Sequence, residues 1–257
     1  MLGIFSAYNY TPLIEQSSVG PSSFSWDSLA LSLVFIAIFM VVVMRFKKLT
    51  ALSFKFFLIL VIFSGSQIVL GSVVAAPWDL FLALAITAFF IFIHNVLVHD
   101  LSVMLGIAGV SSILGITIVP ETIVAILVIL SFYDILAVYW TKHMVYMAKS
   151  MIESGAIFGF VIPFELKDVF YHKGEAHQQI GEKFMILGSG DVGLPVIMAS
   201  SLAVISLRQS VIASLFALIG LFITHLLFVN QGARRPMAAL PPIATLTIIG
   251  YLVSQLL

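Results

Sequence analysis

Two aspartates lie inside long apolar runs of the sequence, where a charged side chain is unusual. Asp134 lies within ILVILSFYDILAVYW and Asp191 within KFMILGSGDVGLPVIMASSL. A carboxylate at the centre of a bilayer costs roughly 2.5–3.5 kcal/mol on insertion scales. A chain that keeps two such residues needs a polar site for them. Two acids in contact can share a proton and perform acid–base chemistry.

Three interpretations of this pair stay open on the acids alone. The pair can be the dyad of an aspartic protease, in which one carboxylate takes a proton from water and the other hydrogen-bonds the scissile carbonyl. It can relay protons or cations in a transporter or leak channel. It can also be a structural pair that joins two helices.

The composition indicates a membrane protein. Hydrophobic residues make up 61% of the chain and charged residues 9%, whereas a soluble domain carries roughly 25% charged residues. The formal net charge of zero gives no sign of a nucleic-acid partner, and the lack of Cys excludes disulfides, thiolate catalysis and zinc–cysteine sites. No pattern indicates a metal site or a cofactor, so we expect none.

The apolar segments predict an all-α polytopic membrane protein. A helix that crosses the hydrocarbon core needs about 20 largely apolar residues. Eight segments meet this requirement, with short links between most of them. They are residues 28–44, 54–74, 78–98, 101–119, 122–140, 184–207, 211–229 and 241–257.

The basic residues predict the orientation of these spans, because cytoplasmic loops are enriched in Lys and Arg. With eight spans, eleven of the twelve Lys and Arg residues fall on one side and only Arg208 on the other. We therefore expect residues 141–183 to form a long cytoplasmic loop in a cell-membrane protein, between membrane-spanning regions at 28–140 and 184–257. Residues 1–27 form an extracytoplasmic N-terminal segment, and the C-terminus is extracytoplasmic too. Within the loop, residues 156–163 are too short to span and suit a strand or a surface-lying segment.

Both aspartates are predicted to lie at one depth. Asp134 comes eight residues before Lys142, and Asp191 comes eight residues after Lys183. At 1.5 Å per helical residue, each acid lies about 12 Å inside the cytoplasmic boundary. If the two helices are adjacent, the carboxylates can meet.

Glycine and proline residues flank the second aspartate. Gly188 and Gly190 precede Asp191, and Gly188 is expected on the same helix face, where a substrate or a helix can approach closely. Pro195 lacks an N–H and so leaves the Asp191 carbonyl without its helical partner. Taken alone, this pattern favours a packing and kink motif over a functional one.

The last span opens with Ala238-Ala239-Leu240-Pro241-Pro242. The two prolines leave the carbonyls of residues 237 and 238 without helical donors. Unpaired backbone at membrane depth is tolerated where it lines a cavity, and it can pair with an extended peptide. The alternative is a helix that merely begins at proline.

Together these motifs resemble the presenilin and signal peptide peptidase family of intramembrane aspartyl proteases, also described by their Gly-x-Gly-Asp motif. The resemblance rests on Tyr133-Asp134, on Gly188-Ser189-Gly190-Asp191 and on Ala239-Leu240-Pro241, in the family's order and around its long loop. It covers roughly residue 29 to the C-terminus. The cysteine-free, compact chain looks like an archaeal relative.

The resemblance implies a presenilin-like fold and a function. It implies hydrolysis of peptide bonds within single-span transmembrane substrates by Asp134 and Asp191, without a cofactor, and it leaves a homo-oligomer open. Substrate-binding residues would be Tyr133, Gly188, Gly190, Ala239, Leu240 and Pro241. A proton- or cation-coupled transporter or leak channel is the alternative function.

The sequence departs from the family pattern in two places. The family has nine spans, and its first helix is expected to be missing here. The family's last motif also usually begins with another proline, where this chain has Ala238. Separately, His94, Asn95, His99 and Asp100 cluster at a predicted cytoplasmic turn, and we expect them to be polar residues at the membrane surface.

Overall fold

The computed structural model describes residues 1–16, 47–141, 157–164, 183–231 and 236–256. The described residues form two groups of helices, with one β-hairpin between them in the chain. The predicted span at 28–44 and most of the predicted loop lie outside the described residues. The elements in chain order are α1 (Leu2–Gln16), α2 (Lys47–Gly71), α3 (Trp78–Phe92), α4 (Val96–Thr117), α5 (Pro120–Ile135) with a π-helical turn (Leu136–Trp140), β1 (Gly159–Pro163), β2 (Phe184–Gly188), α6 (Ser189–Ile205), α7 (Leu207–Val229) and α8 (Leu240–Leu256).

The helices confirm the predicted fold class. Each of the seven predicted spans that fall within the described residues meets one helix, with boundaries shifted by a few residues. Three of the apolar helices, α3, α6 and α8, are 15–17 residues long. Four helical segments within the described ranges are long and apolar enough to cross a membrane: Leu52–Gly71, Val96–Thr117, Pro120–Trp140 and Leu207–Val229.

Helix α1 was not expected from the sequence, which places no helix before residue 28. Its buried side chains Ile4 and Ala7 pack with Ile116 of α4 and with Ala199 and Ala203 of α6. The Tyr10 hydroxyl also donates to the carbonyl of Ile68 in α2, at 3.1 Å. At 15 residues the segment is shorter than the usual span, so its length alone did not indicate a helix. Its contacts with α4 and α6 show a helix before residue 28, where the sequence predicted none.

Helix α4 lies at the centre of the described bundle and contacts α2, α3, α6 and α1. Its contact with α2 is close because glycines face each other. A Cβ atom on Gly65 would collide with the backbone of Gly106, and one on Gly109 would collide with the carbonyl of Gly65. Small residues allow such a backbone approach, which stabilises helix pairs in lipid through van der Waals packing.

Gly65→Ala should therefore destabilise the protein, although alanine favours a helix. Overpacking of a close contact costs about 1–3 kcal/mol, because α2 and α4 must move apart. Thermal unfolding in detergent measures the effect. Ser64→Ala is the matched control, since the Ser64 hydroxyl bonds to the Leu60 carbonyl of its own helix. Equal melting temperatures for the two variants would contradict the predicted contact.

The hairpin of β1 and β2 partly corrects the sequence prediction. The strands pair antiparallel, with Gly159 opposite Gly188 and Pro163 opposite Phe184. The sequence left residues 156–163 as a strand or a surface-lying segment, and β1 shows that Gly159–Pro163 form a strand. Residues 184–188 were expected to begin a helix and instead form β2, because an apolar run of five residues suits either state and the pairing with β1 decides between them.

Side chains fix this hairpin between helices. Val161 and Phe184 are completely buried with Val96, at the start of α4. At the ends of the hairpin, the ring of Phe158 lies 5.9 Å from that of Phe54 in α2, and Phe164 stacks on Phe228 of α7 at 6.4 Å. The hairpin therefore joins α2, α4 and α7 immediately before α6 begins.

Candidate active site

Asp134 lies at the end of α5, where the helix changes its hydrogen-bonding pattern. The five residues Leu136–Trp140 form a π-helical turn directly after α5, and such turns are frequent at functional sites. The Asp134 side chain is buried, with an exposed fraction of 5%. A buried carboxylate needs hydrogen-bond donors, and these come from another helix.

The donors to Asp134 come from the segment that opens α8. The Leu240 N–H donates to Asp134 Oδ2 at 3.1 Å, and the Ala239 N–H also bonds to this carboxylate. Leu240 is the first residue of α8, so its N–H has no partner within the helix. The positive end of the helix dipole also favours a carboxylate here. The segment that opens α8 thus contacts Asp134 through its N–H groups. The sequence alone predicts a role for its unpaired carbonyl groups instead.

Asp191 lies in the first turn of α6, three residues after the N-cap Gly188. Its carboxylate accepts a hydrogen bond from the Gly188 N–H. A side chain at this position of a capping box reaches back to the N-cap N–H in the same way. A Cβ atom on Gly188 would lie 2.9 Å from Asp191 Oδ2, so this glycine leaves room for the carboxylate. Because Gly188 ends β2, the two residues do not share a helix face as predicted.

The structure brings the two predicted acids together. Both carboxyl groups are buried, and Asp134 lies near enough for its charge to act on Asp191. Each also receives a backbone N–H at a helix N-terminus. Burial and repulsion disfavour two negative charges, while the N–H donors favour one. The pair can therefore hold a single proton and titrate as a unit.

The other predicted site residues surround this pair at different exposures. Leu240 is buried, and Ala239 and Pro241 are half-buried beside it. Gly190 is exposed, and a Cβ atom there would meet nothing within 4 Å. The side chain of Tyr133 is 53% exposed, so it leaves α5 in a different direction from that of Asp134. Within the described ranges, no three His, Asp or Glu side chains come together to hold a metal ion.

His99 and Asp100 have a place that the sequence did not indicate. His99 was expected at the membrane surface, but its exposed fraction is 1%. Its Nε2 lies 3.0 Å from the carbonyl oxygen of Gly159, and Asp100 Oδ1 accepts the N–H of Val161 at 2.9 Å. Their partners are backbone groups of a strand about 60 residues later, and no local pattern encodes such contacts.

Comparison with known proteins decides the family. A family model described as signal-peptide peptidase, presenilin aspartyl protease matches residues 27–257, which include both aspartates. The chain belongs to this family. It is an integral membrane protein and an intramembrane aspartic protease of the presenilin type, as the motifs predicted. A comparison with curated proteins found no match.

Solved structures show the same presenilin-type fold. A presenilin family intramembrane aspartate protease in space group C222 is 24% identical, with a TM-score of 0.61 over 98% of this chain and 93% of the other. A second structure, in space group P2, is 24% identical with a TM-score of 0.60, over 99% of this chain and 95% of the other. At this level of identity the likeness shows the fold alone.

Leu240→Pro should lower the hydrolytic rate of this presenilin-type protease more than Leu240→Ala does. Proline fits the first position of a helix but lacks the N–H that binds Asp134. A hydrogen bond to a charged group contributes about 1.5–3 kcal/mol, so we expect a further loss of kcat of about tenfold or more. Both variants remove the buried leucine side chain. The difference between their kcat values with one substrate therefore measures the contribution of the N–H. Equal rates would show that this N–H does not assist the reaction.

Proposed function

We propose that the protein hydrolyses peptide bonds within the transmembrane segments of membrane proteins, with Asp134 and Asp191 as its dyad and water as the nucleophile. The observation that carries the proposal is the pair of buried carboxyl groups that interact while each receives a backbone N–H at a helix N-terminus. A singly protonated pair supplies one base and one acid in the same site.

The reaction follows from this shared proton. The ionised carboxylate takes a proton from water as the water oxygen attacks the peptide carbonyl carbon. The protonated carboxyl gives its proton to the carbonyl oxygen, so the tetrahedral intermediate is a neutral gem-diol. When the C–N bond breaks, one hydroxyl proton returns to the carboxylate and the other carboxyl protonates the nitrogen. The products are a new carboxyl group and a new amine, and the dyad again holds one proton.

Residues beside the dyad have the exposures that substrate contact needs. Residues 236–239 are not helical, and an unwound peptide can pair with non-helical backbone of this kind. Gly190 is open, and Ala239 and Pro241 are half-buried. The side chain of Tyr133 is exposed next to Asp134 on α5, where a substrate helix from the bilayer would arrive. These features support the substrate-binding role that the family resemblance implies.

A bell-shaped dependence of rate on pH is expected from this mechanism. The reaction needs one proton on the pair, so the rate should fall both where the pair is fully protonated and where it is fully ionised. The two limbs report macroscopic values of the pair and not of either residue. Single-turnover cleavage with saturating substrate measures the profile. A flat profile from acidic to neutral pH, with chemistry rate-limiting, would contradict the shared proton.

A hydroxyl-containing peptide isostere tests the dyad without turnover. Such compounds resemble the tetrahedral intermediate and bind 10²-fold or more tightly than substrates, as an order of magnitude. We expect binding to the wild-type protein and a large loss of affinity for both Asp134→Asn and Asp191→Asn. Equal affinity for wild type and variants would refute the dyad. Substrate-independent ion flux through reconstituted protein, with no cleavage, would favour the transporter alternative.

We further propose that the long loop faces the cytoplasm and both termini face the other side. The uneven distribution of Lys and Arg supports this orientation. Since the chain has no Cys, a single cysteine introduced at Lys183 is an unambiguous probe. A membrane-impermeant maleimide should label it from the cytoplasmic side. Labelling from the opposite side alone would overturn the orientation.

A further inference from the structure

The edge of β1 that faces away from β2 is bound by two residues near the start of α4. His99 Nε2 lies 3.0 Å from the Gly159 carbonyl oxygen. One residue later, Asp100 Oδ1 accepts the Val161 N–H at 2.9 Å. A carbonyl oxygen can only accept, so His99 Nε2 carries a proton and donates it. Two consecutive side chains of α4 thus bind two alternate residues of one strand.

The alternation of a strand explains why these residues are the ones bound. The Ser189 N–H donates to the Phe158 carbonyl, and the Phe164 N–H to the Lys183 carbonyl, at the two ends of the hairpin. Even-numbered residues of β1 therefore direct their backbone groups toward β2, and Gly159 and Val161 direct theirs away. His99 is almost completely buried, so the groups that it and Asp100 bind are shielded from water. Backbone groups in such a place need a partner.

The β-hairpin connects this contact to Asp191. Gly159 pairs in register with Gly188, and the Gly188 N–H binds the Asp191 carboxylate. The first residue of α6, Ser189, is held by Phe158, next to Gly159. A Cβ atom on Gly159 would collide with the Leu187 carbonyl oxygen, which shows how closely the strands fit. A shift of β1 relative to α4 would thus move Gly188 and Asp191 with it.

We propose that His99 and Asp100 are positioning residues, which hold β1 against α4 and thereby set the place of Asp191 relative to Asp134. The inference rests on the proposed function of the two aspartates. Aromatic contacts also hold the hairpin, but rings can slide, whereas two backbone hydrogen bonds specify one register. An error of 1 Å in a catalytic group can cost about a hundredfold in rate.

The kinetic test compares variants that remove or keep each hydrogen bond. His99→Phe and Asp100→Ala should lower kcat by about tenfold or more, with KM changed by less than about twofold, and should cut substrate at additional neighbouring bonds. His99→Gln keeps a donor and Asp100→Asn keeps Oδ1, so both should recover most of kcat and the single cut. The matched control is His94→Phe, just before the start of α4, where the histidine is exposed. It should behave as wild type, with folding checked by melting temperature.

A second measurement reports position without activity. The protein has no Cys, so Asp134→Cys with Asp191→Cys gives the only two thiols. Their oxidation to a disulfide requires Cα atoms within about 7 Å or motion that brings them there. We expect His99→Phe or Asp100→Ala in this background to slow oxidation severalfold, and His94→Phe to leave its rate unchanged.

The outcomes separate this proposal from the proposed function. If wild type cleaves and Asp191→Asn does not, while folded His99→Phe and Asp100→Ala keep the wild-type kcat, cut position and oxidation rate, only the positioning role is refuted. It is also refuted if kcat falls only with the folded fraction, or if His99→Gln is no better than His99→Phe. If His99→Phe does not fold, the comparison of Asp100→Ala with Asp100→Asn tests the proposal instead, because Asp100 is only half-buried. Failure of wild type to cleave, or activity in Asp191→Asn, would instead refute the proposed function.

Discussion

Asp134→Asn and Asp191→Asn should each lower cleavage by at least about 10²–10⁴-fold, the contribution of a positioned acid or base, while the protein stays folded. Asparagine has the size of aspartate and can still accept the N–H of Leu240 or Gly188. It cannot take a proton from water or give one to the substrate. Fragment formation from a single-span substrate measures the activity, and a melting curve in detergent confirms the fold.

Asp79→Asn is the matched control for this pair. Asp79 lies in the first turn of α3, is half-buried and takes no part in the proposed dyad. Its variant should keep most of the wild-type rate, because Asp79 contributes no group to the proposed reaction. If either dyad variant kept more than a tenth of the wild-type rate, the two-aspartate mechanism would be wrong. A comparable loss in Asp79→Asn would point to a nonspecific effect of losing a charge.

Gly188→Ala should be the most damaging substitution of a neutral residue beside the dyad. The added Cβ atom would lie 2.9 Å from Asp191 Oδ2, closer than two such atoms can stay. The Gly188 backbone, at φ −61° and ψ 143°, suits alanine, so the strand and helix should form. The carboxylate must therefore shift from its place beside the Gly188 N–H. We expect kcat to fall by about tenfold to a hundredfold, since a small misplacement of a reacting group is costly.

Gly190→Ala provides the comparison for Gly188→Ala. A Cβ atom at Gly190 meets nothing within 4 Å, so Asp191 keeps its place. If Gly190 contacts substrate, the loss should appear mainly as a higher KM, because chemistry after binding is unaffected. Michaelis–Menten analysis of the two variants with one substrate separates the effects. A fall of kcat in Gly190→Ala with none in Gly188→Ala would contradict the geometry of the Asp191 carboxylate.

The aspartates and the apolar helices could be predicted from sequence because their signals are local. A charge within an apolar run is anomalous wherever the run folds, so Asp134 and Asp191 were found without knowledge of the fold. Runs of about 20 apolar residues likewise indicate spans from length alone. The order of the motifs then predicted the family, which the match over residues 27–257 confirms.

The elements that the sequence missed depend on distant partners. Strand β2 is too short to be distinguished from a helix, and its partner Gly159–Pro163 lies earlier in the chain, within the predicted loop. The depth of Asp191 was therefore derived from a helical rise that does not apply to Phe184–Gly188. Helix α1 forms through burial against α4 and α6, and Leu240 reaches Asp134 through a contact over 106 residues of sequence.

The most direct test of the two-aspartate protease is cleavage in water enriched in oxygen-18. Purified protein is reconstituted in lipid with a single-span substrate, and the fragments are analysed by mass spectrometry. We expect two fragments from a cut within the apolar span, with one heavy oxygen in the new carboxyl group and no fragments from Asp191→Asn. An intact substrate, or the same fragments from Asp191→Asn, would contradict the proposed hydrolysis by Asp134 and Asp191.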